Sequence, residues 1–171
     1  MRFLIALDLS LNETGYAVFD KSKRKKLIEW GTISNNHFDS NEEGKKLIRL
    51  EYMLQALKAS YYTSEVVMED WVPNSPSRKS SNQSAYKVGG THSIAKKVWC
   101  NQEIFVVNNR TAKKQFVGNG NASKEEVIEK VYDIKDKLVQ KSLLDNFSVT
   151  NDNDADAIMI GICHLQNSGE W

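Results

Sequence analysis

The feature of this sequence that most constrains its fold is a nearly continuous apolar segment at residues 2–10 that contains one carboxylate, Asp8. An apolar run of this kind is typical of a strand buried on both faces of a sheet. Because burial of an unpaired charge is costly, Asp8 needs a cation, a proton or hydrogen-bond donors. An aspartate that only caps the following turn, at residues 11–15, is the alternative explanation.

Two later segments also place a carboxylate in or beside an apolar run. Glu69 ends the run Val66-Val-Met, and Asp156 opens the run Ala-Ile-Met-Ile. Taken one at a time, Glu69 could be a surface residue at a strand end, and Asp156 a favourable carboxylate in the first turn of a helix. Together with Asp8 they predict a cluster, because two of the three interrupt an apolar pattern.

The chemistry of such a cluster favours divalent cations. Like charges raise the pKa of neighbouring carboxyl groups unless a cation neutralises them. Oxygen ligands suit Mg²⁺ or Mn²⁺ and not zinc. Two such ions about 3.5–4 Å apart would drive in-line hydrolysis of a phosphodiester, one by activating the attacking water and the other by stabilising the leaving oxygen. We therefore expect Mg²⁺ as the cofactor, with Mn²⁺ as a substitute.

Length and composition narrow the class of protein. The chain has 171 residues, which predicts a single domain at residues 1–171, and 40% of its residues are hydrophobic. No apolar run approaches the ~18 residues of a membrane span, and Asp8 interrupts the only segment that could act as a signal peptide. Cys100 and Cys163 lack metal-ligand spacing, so reduced thiols and a cytoplasmic location are expected. The net charge of +1 does not by itself indicate nucleic-acid binding, since the distribution of charge matters more than its sum.

The hydrophobic periodicity predicts a mixed α/β chain. The predicted strands are residues 2–10, 14–20, 26–34, 64–71 and 103–108, and the predicted helices are residues 42–60, 83–100, 111–116, 123–136 and 152–166. Short polar connectors predict an antiparallel meander for the first three strands. Ser40 or Asn41 is expected to cap the first long helix, Ser123 opens a capping box, and residues 137–150 are expected to be irregular.

Basic residues follow the fourth predicted strand and could bring a polyanion to the acidic cluster. Phosphate contacts of this kind supply affinity but little sequence readout, and solvated surface lysines are the alternative for each position. Trp71 could be a wedge against an unstacked base, or an aromatic residue of the core or of a dimer interface. Residues 74–82 are expected to form a polar loop that could reach a bound nucleic acid. The basic residues are Arg78, Lys79, Lys87, Lys96, Lys97, Arg110, Lys113, Lys114 and Lys124.

Four segments of the chain resemble RuvC-type Holliday-junction resolvases. The segment Asp8-Leu-Ser-Leu-Asn-Glu-Thr-Gly-Tyr-Ala-Val resembles the first strand and turn of that family, and Glu69 matches its second acidic residue. Residues 109–124 resemble the segment before the penultimate helix, and Asp156-Ala-Ile-Met-Ile-Gly-Ile-Cys-His resembles the closing helix. The acidic motifs alone would be shared with the wider ribonuclease-H-like superfamily, whereas the segment from Arg110 to Lys124 favours the resolvase branch. The chain is short and rich in asparagine, lysine and aspartate, which favours a phage or viral member.

The resemblance implies a fold, an activity and site residues. It implies a ribonuclease-H-like five-stranded mixed sheet flanked by helices, with the first three strands antiparallel. It also implies a homodimer, Mg²⁺, and paired symmetric nicks in four-way DNA. Asp8, Glu69 and Asp156 would be metal ligands, whereas Lys113 and Lys124 match lysines that contact DNA phosphates.

The sequence departs from the family pattern at one position. The family has an acidic or histidine residue three positions before its last aspartate, where this chain has Asn153. We expect Asp152 to be the fourth ligand, with Asn153 as a neutral alternative and Asp154 as a further one. Two other functions stay open: a ribonuclease-H-like nuclease acting on RNA–DNA hybrids or flaps, and a junction-binding protein without catalysis, which Asn153 would explain.

Overall fold

The computed structural model describes residues 1–24, 26–61, 64–71 and 82–171, without the side chains of residues 82–85. Its strands are β1 (Phe3–Asp8), β2 (Glu13–Asp20), β3 (Leu27–Ser34), β4 (Ser64–Glu69) and β5 (Ile104–Val107). Its helices are α1 (Glu43–Ser60), α2 (Asn82–Val98), α3 (Asn109–Phe116), α4 (Lys124–Asp133), α5 (Lys135–Leu138), α6 (Lys141–Leu144) and α7 (Asp152–Asn167).

The strands form one sheet in the order β3-β2-β1-β4-β5. β1 pairs antiparallel with β2, which pairs antiparallel with β3. On its other side β1 pairs parallel with β4, and β4 pairs parallel with β5. The predicted mixed sheet with three antiparallel first strands is therefore confirmed, and β1 is its central strand.

Both faces of the sheet are covered, as the apolar first strand requires. Leu4 and Ala6 of β1 belong to a core with α3, α4 and α7. Ile5 and Leu7, which point to the opposite face, belong to a second core with α1 and α2. Because β1 is buried on both sides, its carboxyl end can hold a polar group only where the helices leave a gap.

Two glycines let α7 approach β2 closely. A Cβ added to Gly15 would lie 2.0 Å from the main-chain oxygen of Asn153, at the start of α7. A Cβ added to Gly161, two turns further along α7, would lie 2.2 Å from Cε2 of Phe19. The helix therefore crosses the strand at a separation that only glycine permits at these positions.

Two local expectations were wrong. Glu42, not Ser40 or Asn41, precedes α1, and it makes no side-chain capping bond. Its carboxylate accepts instead from the Asp39 N–H at 3.0 Å, so the chain turns before the helix begins. Residues 137–150 are not wholly irregular, because they include the end of α5 and all of α6.

The capping box at Ser123 is present at the start of α4. Among the described residues, no helix is long and apolar enough to cross a membrane.

An ion pair fixes the start of β1 to the end of β2. Asp20 is buried and accepts from Arg2 Nη2 at 2.8 Å and Nε at 3.3 Å. Ser22 adds a hydroxyl donor at 2.6 Å and a main-chain donor at 3.1 Å. The hydrogen bond from Arg2 is the main reason that the pKa of Asp20 is lowered well below its usual range.

This shift predicts a pH dependence of stability. A carboxylate whose pKa is lower in the folded state stabilises the fold above its unfolded pKa of about 3.9, and that stability is lost as the pH falls further. We expect Asp20→Asn to lower the unfolding midpoint by a few degrees at neutral pH, with a difference from wild type that shrinks between about pH 4 and pH 2. Thermal unfolding followed by circular dichroism tests this, and an equal midpoint for both proteins at neutral pH would contradict it.

Candidate active site

The site lies where the parallel strands β1 and β4 end. The register pairs Leu7 with Met68, so the next residues, Asp8 and Glu69, come side by side at the carboxyl ends of the two strands. Their side chains lie within hydrogen-bonding reach of each other, and Glu69 helps to raise the pKa of Asp8. Two carboxyl groups can share a hydrogen bond only when one carries a proton. The geometry thus brings together two groups that would repel if both were ionised.

The first turns of α7 bring two further carboxylates to the same place. Asp156 is buried, and Asp152 lies one turn earlier, partly exposed. The charges of both act on Asp8. The close crossing at Gly15 allows this part of α7 to lie over the end of the sheet. Four carboxylates from β1, β4 and α7 therefore converge.

The electrostatics of the cluster follow from burial and like charge. Burial raises the pKa of Asp8 well above its usual range, and Glu69, Asp156 and Asp152 raise it further. Burial is also the main cause that raises the pKa of Asp156 to about 6. Lys113 and Lys124 oppose that shift at Asp156, whereas Glu69 and Asp152 reinforce it. The cluster consequently holds protons more tightly than isolated carboxyl groups do.

Two lysines border the cluster. Lys113, on α3, donates to the Ala122 carbonyl at 2.8 Å and lowers the pKa of Asp152 and Asp156 through its charge. Lys124, the first residue of α4, forms an ion pair with Asp152. The hydrogen bond within this ion pair is the main reason that the pKa of Asp152 is lowered and that the pKa of Lys124 is raised. Positive charge therefore borders the acidic cluster on the α3–α4 side.

The three candidates for a fourth ligand point in different directions. Asp154 is buried and accepts from Thr32 Oγ1 at 2.5 Å and from Thr150 Oγ1 at 2.9 Å, so it holds α7 to the edge of the sheet. The Asn153 amide donates to Glu13 Oε2 at 3.4 Å. Of the three, Asp152 is the one whose charge acts on both Asp8 and Asp156.

The donor set fits a hard divalent cation by its chemistry, because it offers carboxylate oxygens that need neutralising charge. Its present arrangement is not that of ligands around an ion. Among residues 1–24, 26–61, 64–71 and 82–171, no group of three or more histidine, cysteine, aspartate or glutamate side chains is placed to hold a metal ion. Asp8 and Glu69 face each other, and Asp152 pairs with Lys124. Asp152 would therefore have to leave Lys124 to ligate a cation.

The other predicted DNA-contacting residues are spread around this site. Arg110 is exposed at the start of α3, and Lys87 is partly buried on α2. Lys97 pairs with Glu51 of α1 at 2.9 Å, and Lys96 and Lys114 are exposed. Arg78, Lys79 and most of the loop at residues 74–82 lie outside the described residues.

A histidine that the sequence did not single out ties the site to α2. His92 is buried, with Nε2 3.0 Å from the Glu69 carbonyl and Nδ1 3.0 Å from the Val88 carbonyl. The Trp71 ring centre lies 6.0 Å from that of His92, and a Cβ on Gly89 would lie 3.0 Å from the Trp71 ring. No local pattern marks His92, because its partners come from another element.

Comparison with known proteins gives one consistent result. The family described as crossover junction endodeoxyribonuclease RuvC matches residues 4–164. A protein of that name from Ehrlichia canis (strain Jake) is 30% identical over 168 residues, covering 98% of this chain and 99% of the relative. One from the Wolbachia of Brugia malayi is 26% identical and covers 100% of this chain and 98% of its own. Both relatives are bacterial, and a phage or viral source for this chain stays a prediction.

Solved structures support the same fold. Thermus thermophilus RuvC in complex with Holliday junction substrate has a TM-score of 0.73 at 18% identity, covering 98% of this chain and 95% of that one. The yeast mitochondrial Holliday junction resolvase Ydc2 has a TM-score of 0.66 at 11% identity, covering 98% and 79%. At these identities the likeness concerns the fold, and it confirms the ribonuclease-H-like architecture predicted above.

Proposed function

Because this chain belongs to the RuvC family of crossover junction endodeoxyribonucleases, we propose that it resolves four-way and related branched DNA by paired symmetric nicks. The observation that carries the proposal is the meeting of Asp8, Glu69 and Asp156 at one end of the sheet, with lysines beside them. The nuclease is proposed to be a single domain spanning residues 1–171. A cytoplasmic location, where a bacterial chromosome lies, is part of the proposal.

We assign the metal ligands from the four converging carboxylates. Asp8, Glu69 and Asp156 would hold Mg²⁺, with Mn²⁺ as a substitute, and Asp152 would assist. A bound divalent cation would supply charge neutralisation and an activated water for phosphodiester hydrolysis. The chain's own task is to keep the carboxylates ionised and aligned. Burial opposes that ionisation at Asp8 and Asp156, so cation binding is expected to release protons there.

The lysines are proposed to bind the DNA backbone. Lys113 and Lys124 lie close enough to the carboxylates to affect their ionisation, which supports a role for their ammonium groups beside a phosphate held at the cluster. In that position one of them would stabilise the negative charge that develops on the phosphoryl oxygens. Arg110 and Lys87, with Arg78 and Lys79, would extend the contacts along the DNA arms and add affinity without sequence readout.

Paired nicks require two active sites, so a homodimer is proposed. Its candidate face is the outer surface of α1 and α2. Ile48 and Tyr52, one turn apart on α1, are each 71% exposed, and Tyr86 of α2 is 79% exposed. Large apolar side chains at such exposure are typical of surfaces that pack against a partner.

The position of Asn153 bears on the alternative of a binder without catalysis. Its side-chain amide donates to Glu13. Asp152 brings a carboxylate to the cluster from the preceding position. An asparagine at residue 153 would therefore not deprive the site of an acidic ligand, which supports the catalytic function over binding alone.

Cleavage of a labelled, immobile four-way junction tests the proposal. Flap DNA and an RNA–DNA hybrid are the substrate controls, each incubated with Mg²⁺, Mn²⁺ or a chelator. We expect paired nicks at symmetric positions near the crossover, in the junction lanes with either cation. Cutting of only the hybrid or flap would reassign the substrate, and binding without cutting in either cation would overturn the catalytic assignment.

Cation binding is also expected to stabilise the fold. An ion that binds only the folded state adds about 3 kcal/mol to the free energy of unfolding at about one hundred times its Kd. We expect Mg²⁺ to raise the thermal unfolding midpoint of the wild type and to have much less effect on Asp156→Asn. Differential scanning calorimetry against Na⁺ at equal ionic strength measures this. Equal stabilisation of both proteins would show that these carboxylates do not hold the ion.

A further inference from the structure

A second candidate site lies at the opposite end of the sheet from the carboxylate cluster. The register of β1 and β2 pairs Asp8 with Gly15 at one end and Phe3 with Asp20 at the other, so the β2–β3 turn is remote from the cluster. A cavity of about 450 Å³ lies between this turn, α5 and the C-terminal tail. The described residues that line it are Arg24, Lys26, Asp136, Lys137 and Trp171.

The cavity is positively charged. Among the described residues that line it, the cations Arg24, Lys26 and Lys137 outnumber the single carboxylate, Asp136, and the Glu170 carboxylate lies near Lys26. The Lys26 side chain donates to the Lys21 carbonyl at 2.7 Å, whereas the side chains of Arg24 and Lys137 form no hydrogen bond or ion pair with the described part of the chain. Two cations therefore have their hydrogen-bonding capacity free for a ligand, and their charge favours an anion.

The aromatic wall of the cavity follows a partly buried ion-pair network. Gly169, with a φ of +74°, turns the chain after α7, and the next residue, Glu170, pairs with Lys21 at 2.9 Å. Lys21 is only 9% exposed and also pairs with Glu65 at 2.8 Å. Trp171 follows Glu170 directly and lines the cavity with 43% of its surface exposed.

We propose that this cavity binds one nucleotide of a single-stranded nucleic acid, with its base on the Trp171 ring and its phosphate beside Arg24 and Lys137. Stacking on an aromatic ring combined with cations along the backbone is how proteins bind single strands. The volume lies within the range of small-ligand pockets, and a base must leave the helical stack to enter it. Asp136 adds an acceptor for an exocyclic amino group, which favours cytosine, adenine or guanine over thymine. The choice of nucleic acid as ligand rests on the proposed function. The presence of a cavity with these lining residues does not depend on that function.

Photocrosslinking tests the site directly. The probe is a short single-stranded oligodeoxycytidylate carrying one 5-iodocytosine, irradiated with the full chain in chelator and analysed by mass spectrometry of the peptides. We expect a crosslink at Trp171. The double variant Arg24→Gln, Lys137→Gln should lower its yield about tenfold while Trp171 is still present, and Lys141→Gln, an exposed lysine of α6 outside the cavity, should leave it unchanged. Crosslinks only elsewhere, or an undiminished yield in the double variant, would overturn the proposal.

Two further measurements separate this proposal from the proposed function. Trp171→Ala should lose the crosslink at that position yet nick the four-way junction at the wild-type rate, with an unchanged unfolding midpoint. A wild-type protein that crosslinks at Trp171 but nicks no junction would overturn the nuclease and leave the cavity assignment standing. Competition by polyglutamate as effective as that by unlabelled oligonucleotide would assign the cavity to an acidic peptide and overturn the nucleotide.

Discussion

Asp8→Asn is expected to lower the rate of junction nicking by at least about a thousandfold, because it removes the central carboxylate of the site. The change keeps the size of the side chain and leaves Lys113 and Lys124 in place. Junction binding in chelator should therefore stay within about twofold of wild type, since phosphate contacts supply the affinity. Single-turnover cleavage and fluorescence anisotropy on the same junction measure the two quantities.

The same variant should be more stable than the wild type in chelator at neutral pH. The pKa of Asp8 is raised in the fold, so the protonated carboxyl is the favoured form and its ionisation destabilises the folded state as the pH rises. Asparagine resembles the protonated form, so its advantage should vanish as the pH falls to about 4 and below. A protein that is inactive yet more stable cannot owe its loss of activity to misfolding.

Asp145→Asn is the matched control, since Asp145 is an exposed carboxylate after α6, away from the cluster. It should leave the rate of nicking unchanged. Wild-type nicking by Asp8→Asn would remove Asp8 from the catalytic machinery and with it the proposed site.

The elements could be predicted because their signals are local. The apolar run around Asp8 required a strand covered on both faces, and β1 is the central strand between two cores. The capping box at Ser123 is a pattern of four residues and is present. The predicted cap of α1 was wrong because the Glu42 carboxylate accepts a hydrogen bond from the Asp39 N–H. Composition does not decide which of several neighbouring polar residues precedes the helix.

The site could be predicted in its residue types but not in its pairings. That Asp8 and Glu69 would lie side by side depended on a parallel pairing of β1 with β4, which came from the family resemblance and not from periodicity. The ion pair of Lys124 with Asp152 and the bond of His92 to the Glu69 carbonyl join separate elements. Such contacts follow from how the elements pack, which no spacing within one element encodes.

Gly15→Ala is expected to cause the largest loss of stability, and it should also reduce nicking. The added Cβ would overlap the main-chain oxygen of Asn153 at 2.0 Å, and a backbone atom can give way only if α7 moves. We expect a loss of about 3 kcal/mol in the free energy of unfolding. Because a displacement of about 1 Å can cost a hundredfold in rate, and α7 carries Asp152 and Asp156, nicking by the folded fraction should fall about a hundredfold.

Two other glycines provide the controls, measured by urea unfolding. Gly44→Ala meets no atom within 4 Å, so the better helix former should be neutral or stabilise α1 by up to about 1 kcal/mol. The added Cβ of Gly161→Ala collides with the Phe19 ring, which a smaller side chain at residue 19 would relieve. Adding Phe19→Leu should therefore recover part of the stability lost in Gly161→Ala, measured as a favourable coupling energy. No such trimming can relieve Gly15→Ala, because its obstacle is the backbone of the helix that carries the carboxylates. Wild-type stability and nicking in Gly15→Ala would therefore mean that α7 does not cross β2 at this separation.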